Sequence, residues 1–222
     1  MMNVQRVFGL LAALMACAAA AWTSEAEMDA AVCKALSAGK NAWSPAFVGQ
    51  LRETATNAAC SAGMRCEASM LLSLNAWQCF LDTMDGTWMV RERVHAERAV
   101  EQIGAATNAW QYWMARFVRA GAAASDCDYA RALSVLSNAV DRMAREQATN
   151  TATGVECAFL RLFDLPDVAT IDAMRVLAGM SAAMLGDGNV ATNFAFQVPP
   201  RYRAMILEAL NRRRPAGNAP QL

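Results

Sequence analysis

Apolar residues recur three and four positions apart along nearly the whole chain, and almost nowhere two apart. That spacing restricts the fold to packed amphipathic helices, because only a helix brings such positions onto one face. The breaks between periodic stretches carry helix-end chemistry. Ser24-Glu25-Ala26-Glu27 has the form of a capping box, in which the serine oxygen takes an orphan amide and Glu27 reaches back. It opens a helix striped by Met28, Ala31, Val32, Ala35 and Leu36 and ended by Gly39. Ser44-Pro45 starts a second helix, with proline where its missing amide costs nothing, Phe47, Val48, Leu51 and Ala55 inward, and Asn57 as its stop.

The same reading predicts a third helix over about Met64–Asp82, with Met70, Leu71, Leu74, Trp77 and Leu81 inward. A fourth covers about Trp88–Ile103, its stripe read as Val90, Val94, Ala96 and Val100. A fifth follows Asn108, carries Trp110, Trp113, Met114 and Phe117 on one face, and stops at Gly121. Asp126 or Asp128 opens the sixth, whose stripe of Tyr129, Ala132, Leu133, Leu136, Val140 and Met143 is the cleanest and makes it the expected centre. A seventh is placed around Val155–Phe163, an eighth at Ile171–Leu185 and a ninth at Tyr202–Arg212. Phe194, Phe196 and Val198 alternate, but one isolated alternation makes no sheet and reads as an extended loop packing two rings. Loops this short set successive helices antiparallel. The expected fold is all-α: one domain of about eight or nine antiparallel helices, as a bundle or a short irregular helical-hairpin solenoid.

The first residues do not belong to that pattern. Met1-Met2-Asn3-Val4-Gln5-Arg6 precedes an apolar run from Val7 to Ala16 and alanines to Ala21, and the first acid is Glu25. These are the parts of a signal peptide, and the run falls short of the ~20 residues a membrane span needs. Ala19 and Ala21 occupy the small-residue positions of an A-x-A site, so cleavage would leave Trp22 first. Leu14-Met15-Ala16-Cys17 also resembles a bacterial lipobox, which makes Cys17 the alternative, lipid-bearing first residue. The expected organisation is a signal peptide over 1–21, a helical domain over 22–214 and a loose tail over 215–222. The expected location is the periplasm or the cell surface, with contact to the membrane only through a lipid on Cys17.

Removing the leader leaves 19 basic and 20 acidic residues, which gives no reason to expect a nucleic acid as partner. Six cysteines then remain: Cys33, Cys60, Cys66, Cys79, Cys127 and Cys157. An oxidising compartment permits three disulfides among them, in 15 possible pairings. Alternating helix direction favours Cys79 with Cys127 and Cys60 with Cys66 or Cys33, and sets Cys127 and Cys157 at opposite edges.

Catalytic sets are sought and not found. His95 is the single histidine, which excludes any site needing two within one chain, the H-E-x-x-H zinc proteases included. His95-Ala96-Glu97 has deaminase spacing, yet no P-C-x-x-C accompanies it. Its neighbours Arg91, Glu92, Arg93, Glu97 and Arg98 read as a solvated helix face laced with ion pairs. Ser37-Ala38-Gly39-Lys40 fits S-x-x-K in spacing, but its serine closes a helix and no K-T-G follows. Asp126-Cys127-Asp128 and Asp187-Gly188-Asn189 read as a helix start and a turn, without the ligand series of a calcium loop. No catalytic residue, cofactor or metal is assigned. The interaction candidates are Tyr112, which falls off the Trp110–Trp113–Phe117 face, and the cations beside it, Arg116 and Arg119.

Tyr129, Ala132, Leu136 and Ala139 follow one another as aromatic, small, large and small, which resembles the second helix of a tetratricopeptide repeat. The resemblance covers about fifteen of 222 residues; the first-helix signature is not recoverable upstream, and Ala144 stands where the terminal proline would be. It implies a helical-hairpin module that binds peptides or scaffolds proteins. The leading expectation is therefore an exported binding or scaffold protein contacting proteins or peptides in the envelope. The alternatives are a carboxylate-dependent enzyme, such as a helical lyase or glycan-cleaving protein, and a structural envelope protein held by disulfides. A deep pocket with two facing carboxylates would favour the enzyme, and an apolar groove would favour binding.

Overall fold

The structure is a computed structural model that describes residues 20–38, 43–104, 110–145, 159–160, 165 and 168–213. Among the described residues lie nine helices and no strand. They are α1 (Glu25–Ser37), α2 (Pro45–Thr56), α3 (Ala62–Thr83), α4 (Thr87–Ile103), α5 (Trp110–Ser125), α6 (Tyr129–Arg145), α7 (Thr170–Leu185), α8 (Gly188–Gln197) and α9 (Pro200–Arg213). The all-α expectation holds. The leader, the tail, Cys17, Cys157 and most of the expected Val155–Phe163 helix lie outside the described residues.

The helix starts follow from capping chemistry. Ser24 Oγ accepts from Glu27 N at 3.2 Å, while the Glu27 carboxylate reaches back to Thr23, accepting from its amide at 3.0 Å and its hydroxyl at 2.8 Å. Ser44 caps α2 through Phe47 N, with Pro45 in the first turn. Ser61 caps α3 through Met64 N at 3.1 Å. Asp128, rather than Asp126, opens α6 by accepting from Arg131 N at 3.1 Å.

Helix α3 is the centre of the molecule, not α6. Every residue from Cys66 to Ala76 is buried, so α3 is enclosed all round instead of on one stripe. Helices α2, α4 and α5 pack against it, and α1 touches it more lightly. Helix α6 still buries the stripe read from its sequence, with Ala132, Leu136, Val140 and Met143 in the core and Leu133 half-buried. Principal contacts join each helix to its neighbour or next-but-one: α3 to α5, α5 to α7 and α7 to α9 form a row, with α4, α6 and α8 docked along it. Gly179 lets α7 and α9 approach closely. A Cβ there would lie 2.6 Å from Ile206 Cδ1 and 3.1 Å from two further atoms of that side chain.

Four stretches depart from the sequence reading. Leu81, read as inward near the end of α3, is 48 % exposed. On α4, Glu92, Ala96, Ala99 and Ile103 face inward, whereas Val90 and Val94 are 52 % and 49 % exposed. The inner stripe is made of small residues and one acid, which lets α4 lie close to α3. Helix α5 continues through Gly121 to Ser125. Phe194–Gln197 is not extended but helical, and only Val198, the cap, is extended: Asp187 accepts from Val190 N and opens α8. Helical spacing then buries Phe194 and Val198, four apart, and leaves Phe196 67 % exposed.

The expected disulfides are not formed. Cys33, Cys60, Cys66, Cys79 and Cys127 are all free thiols, with no two of them within bridging distance. Cys66 lies fully buried on α3 with its Sγ 3.9 Å from Gln111 O, whereas Cys60 Sγ lies 4.0 Å from Trp22 O. Cys127 is exposed and held at φ 61° in the turn before α6. Antiparallel packing brings the end of α5 beside the start of α4, where Asp126 meets Arg93, but this does not bring Cys127 within bridging distance of Cys79.

Candidate functional site

The row of odd-numbered helices encloses a pocket of about 340 Å³. Leu74 and Trp77 reach it from α3, Phe117 and Val118 from α5, Met180 from α7 and Met205 from α9. Gly121 and Ala124 form its floor on the α5 side, where the absence of bulk leaves the space unfilled. Two methionines on facing helices give it adaptable walls. The dimensions and the apolar lining are those of a ligand pocket with few polar groups.

Two polar residues, Glu92 and Ser125, stand in that wall. Glu92 is 5 % exposed, and its Oε1 accepts from Ser125 Oγ at 3.3 Å while its Oε2 has no partner among the described residues. Its backbone carbonyl accepts from Ser73 Oγ at 2.9 Å, which fixes α4 against α3 at this level. Burial pushes the Glu92 carboxyl up to about 7; the Ser125 hydrogen bond works against the shift and Asp126 adds to it. Near neutrality it therefore sits in the pocket about half as the acid, far more than an ordinary carboxyl. Sequence reasoning placed Glu92 on the solvated face. The signal available was the series Ala96, Ala99, Ile103, which extended back by a turn lands on Glu92.

The residues singled out in the sequence fall elsewhere. Tyr112 is buried instead of exposed, T-shaped against Trp113 at 4.7 Å. Arg116 does stand over its ring, 3.4 Å from the centroid, and Arg142 Nη1 donates to Tyr112 Oη at 2.6 Å. Arg119 turns away to pair with Glu97 at 2.9 Å, and Arg131 pairs with the same carboxylate. The ion pairs of α4 thus run outward to α5 and α6 instead of along its own face, with Arg93 to Asp126 at 2.9 Å as the third. Tyr112 and its arginines brace α5 against α6.

Glu67 is a second buried acid, 2 % exposed on α3, with its Oε1 unpartnered. Burial first, then Asp29 and Glu25 on α1, push its carboxyl up to about 8. It does not line the apolar pocket, so among the described residues no pair of carboxylates faces across that space. No cluster of metal-ligating side chains occurs among the described residues, and no helix there is long and apolar enough to cross a membrane. No protein-family model, curated protein or solved structure matches the chain.

Proposed function

We propose that the protein is an exported binding protein that seats an apolar side chain of a protein or peptide partner in the pocket between α3, α5, α7 and α9. The observation that carries this reading is an apolar pocket of about 340 Å³ in which the described residues place a single buried acid and no second carboxylate opposite it. Catalysis by paired carboxylates needs two such groups in one space; recognition needs an apolar cavity and few polar groups. The array of successive helical hairpins and the resemblance of Tyr129–Ala139 to a tetratricopeptide repeat support the choice of a peptide. Export rests on the leader. Trp22 is the first core side chain among the described residues, 5 % exposed and 5.8 Å from the Phe47 ring, so cleavage before it would leave that contact in place. The mass of the mature N-terminus distinguishes a start at Trp22 from a lipidated Cys17.

Filling the pocket tests the reading. Ala124 is half-buried on its floor, so Ala124→Phe occupies the space without opening the core. An apolar fluorescent probe such as anilinonaphthalene sulfonate is expected to bind the parent protein, and peptides bearing a leucine or phenylalanine to displace it. Ala124→Phe is expected to weaken both by about tenfold or more at an unchanged melting temperature, a loss of ~1.4 kcal/mol. Equal binding by parent and variant would contradict the pocket. Displacement by free apolar molecules but by no peptide would contradict the peptide assignment.

A further inference from the structure

A second pocket, of about 400 Å³, lies between α2, α3 and α4, on residues that take no part in the apolar one. Arg52 reaches it from α2, Asn75 from α3, and Trp88, Arg91 and His95 from α4. Its lining differs in kind: hydrogen-bond donors and positive charge, with no carboxylate among them.

One enclosed polar atom there, on His95, lacks a partner among the described residues. Asn75 is 8 % exposed and makes no hydrogen bond through its carboxamide among the described residues. His95 is half-buried, and its Nδ1 is enclosed without a partner. Buried polar groups are ordinarily satisfied, and leaving one unpaired costs about 1–3 kcal/mol. An unpaired acceptor is tolerated better than an unpaired donor. With its proton on Nε2 the neutral ring has a donor to offer a ligand.

The positive charge of the lining has no ion-pair partner in contact with it. Arg52, Arg91 and Arg98 enter no ion pair among the described residues. Glu53 follows Arg52 in sequence and Asp85 stands near enough to Arg91 to feel its charge, but neither lines the pocket; three further acids are engaged elsewhere. Glu92 is turned into the apolar pocket, Glu97 holds Arg119 and Arg131, and Asp82 accepts from Gln78 at 3.0 Å. The Arg91 guanidinium lies over the Trp88 ring, 4.5 Å from its centroid, which fixes the plane of its donors before any ligand arrives. Burial, then Arg98, Arg52 and Arg91, hold the His95 ring down at about 4, so at neutral pH it is an uncharged donor in a positive field.

We propose that this pocket binds the phosphate group of a small molecule, with Arg52 and Arg91 holding the charge and Asn75 and His95 donating hydrogen bonds. Phosphate fits better than carboxylate because it brings more acceptor oxygens and close to two negative charges at neutral pH. Two guanidinium groups, a carboxamide and an imidazole N–H exceed what two carboxylate oxygens use. The pocket is larger than inorganic phosphate, which leaves room for an organic group beside Trp88.

His95 is the only histidine, so its ring proton resonances report on this pocket alone. The test follows them at pH 7 in the full chain, during titration with sodium phosphate and with phenyl phosphate. Sodium chloride and sodium acetate at equal ionic strength are the comparisons. A saturable shift with both phosphates, and none with chloride, is expected. Arg52→Ala and Arg91→Ala remove exposed side chains, so the melting temperature should hold while the apparent Kd rises about 10- to 100-fold. Arg52→Lys should recover part of the loss. A response to phosphate no larger than to chloride would overturn the proposal, as would a shift that survives in the Arg52→Ala/Arg91→Ala double variant. Saturation by acetate at lower concentration than phosphate would overturn the choice of phosphate.

Discussion

Leu136→Ala is expected to destabilise the protein by about 2–5 kcal/mol. Leu136 is completely buried on α6, where Ala132, Ala139, Val140 and Met143 complete the packed face against α5 and α7. The change removes the transfer free energy of the side chain and leaves a cavity that tightly packed neighbours fill only in part. Val90→Ala supplies the contrast. Its stripe position reads as core in the sequence, but at 52 % exposure its loss should cost less than about 0.5 kcal/mol. Urea denaturation of the two variants, with equal slopes and only the midpoint displaced, measures both. Equal effects would mean that the inner faces of α4 and α6 are not those described.

Glu67 sets the second large effect, through pH. In the unfolded chain its carboxyl has its ordinary value of 4.5; in the fold, burial with Asp29 and Glu25 pushes it up to about 8. Between those values the folded state holds a proton that the unfolded chain has lost. The contribution is therefore fully present below about 4.5 and is lost as the pH rises to about 8. Glu92 adds a loss of the same sign, ending at about 7. His95 runs the other way. Its ring is held at about 4 against an ordinary 6.5, so its contribution is present above 6.5 and lost as the pH falls to about 4. The carboxyls stand alone between 6.5 and 8. Over that interval Glu67 should lower stability by about 2 kcal/mol. Glu67→Gln, which keeps the shape and cannot ionise, should remove most of the slope. Parallel stability curves for parent and variant from pH 6.5 to 8 would show that Glu67 ionises freely in the fold.

The sequence disclosed the helices and their starts more fully than the faces they bury. Ser24, Ser44 and the α6 stripe were legible because each depends on residues within one or two turns. Glu92 was not, because a charged residue in a run of charges reads as solvated, and only the packing of α4 on α3 turns it inward. Val90 and Val94 were misplaced for the same reason: the valines offered a stripe of their own. Tyr112 was expected in solvent because it falls off the face of Trp110, Trp113 and Phe117. Helix α5 is covered on that side too, by α6, and Arg142 satisfies the hydroxyl. Gly121 reads as a stop, yet within α5 it keeps one wall of the pocket low. Neither pocket could be read from the chain, since each gathers side chains from at least three helices.

Photo-crosslinking in the cell tests the central claim most directly. A benzoylphenylalanine placed at Met180, on the pocket wall, should join the protein to one polypeptide in the envelope fraction. The same probe at Val90, on the exposed side of α4, should not. The two positions giving the same adducts, or none from Met180, would contradict a peptide seated in the apolar pocket.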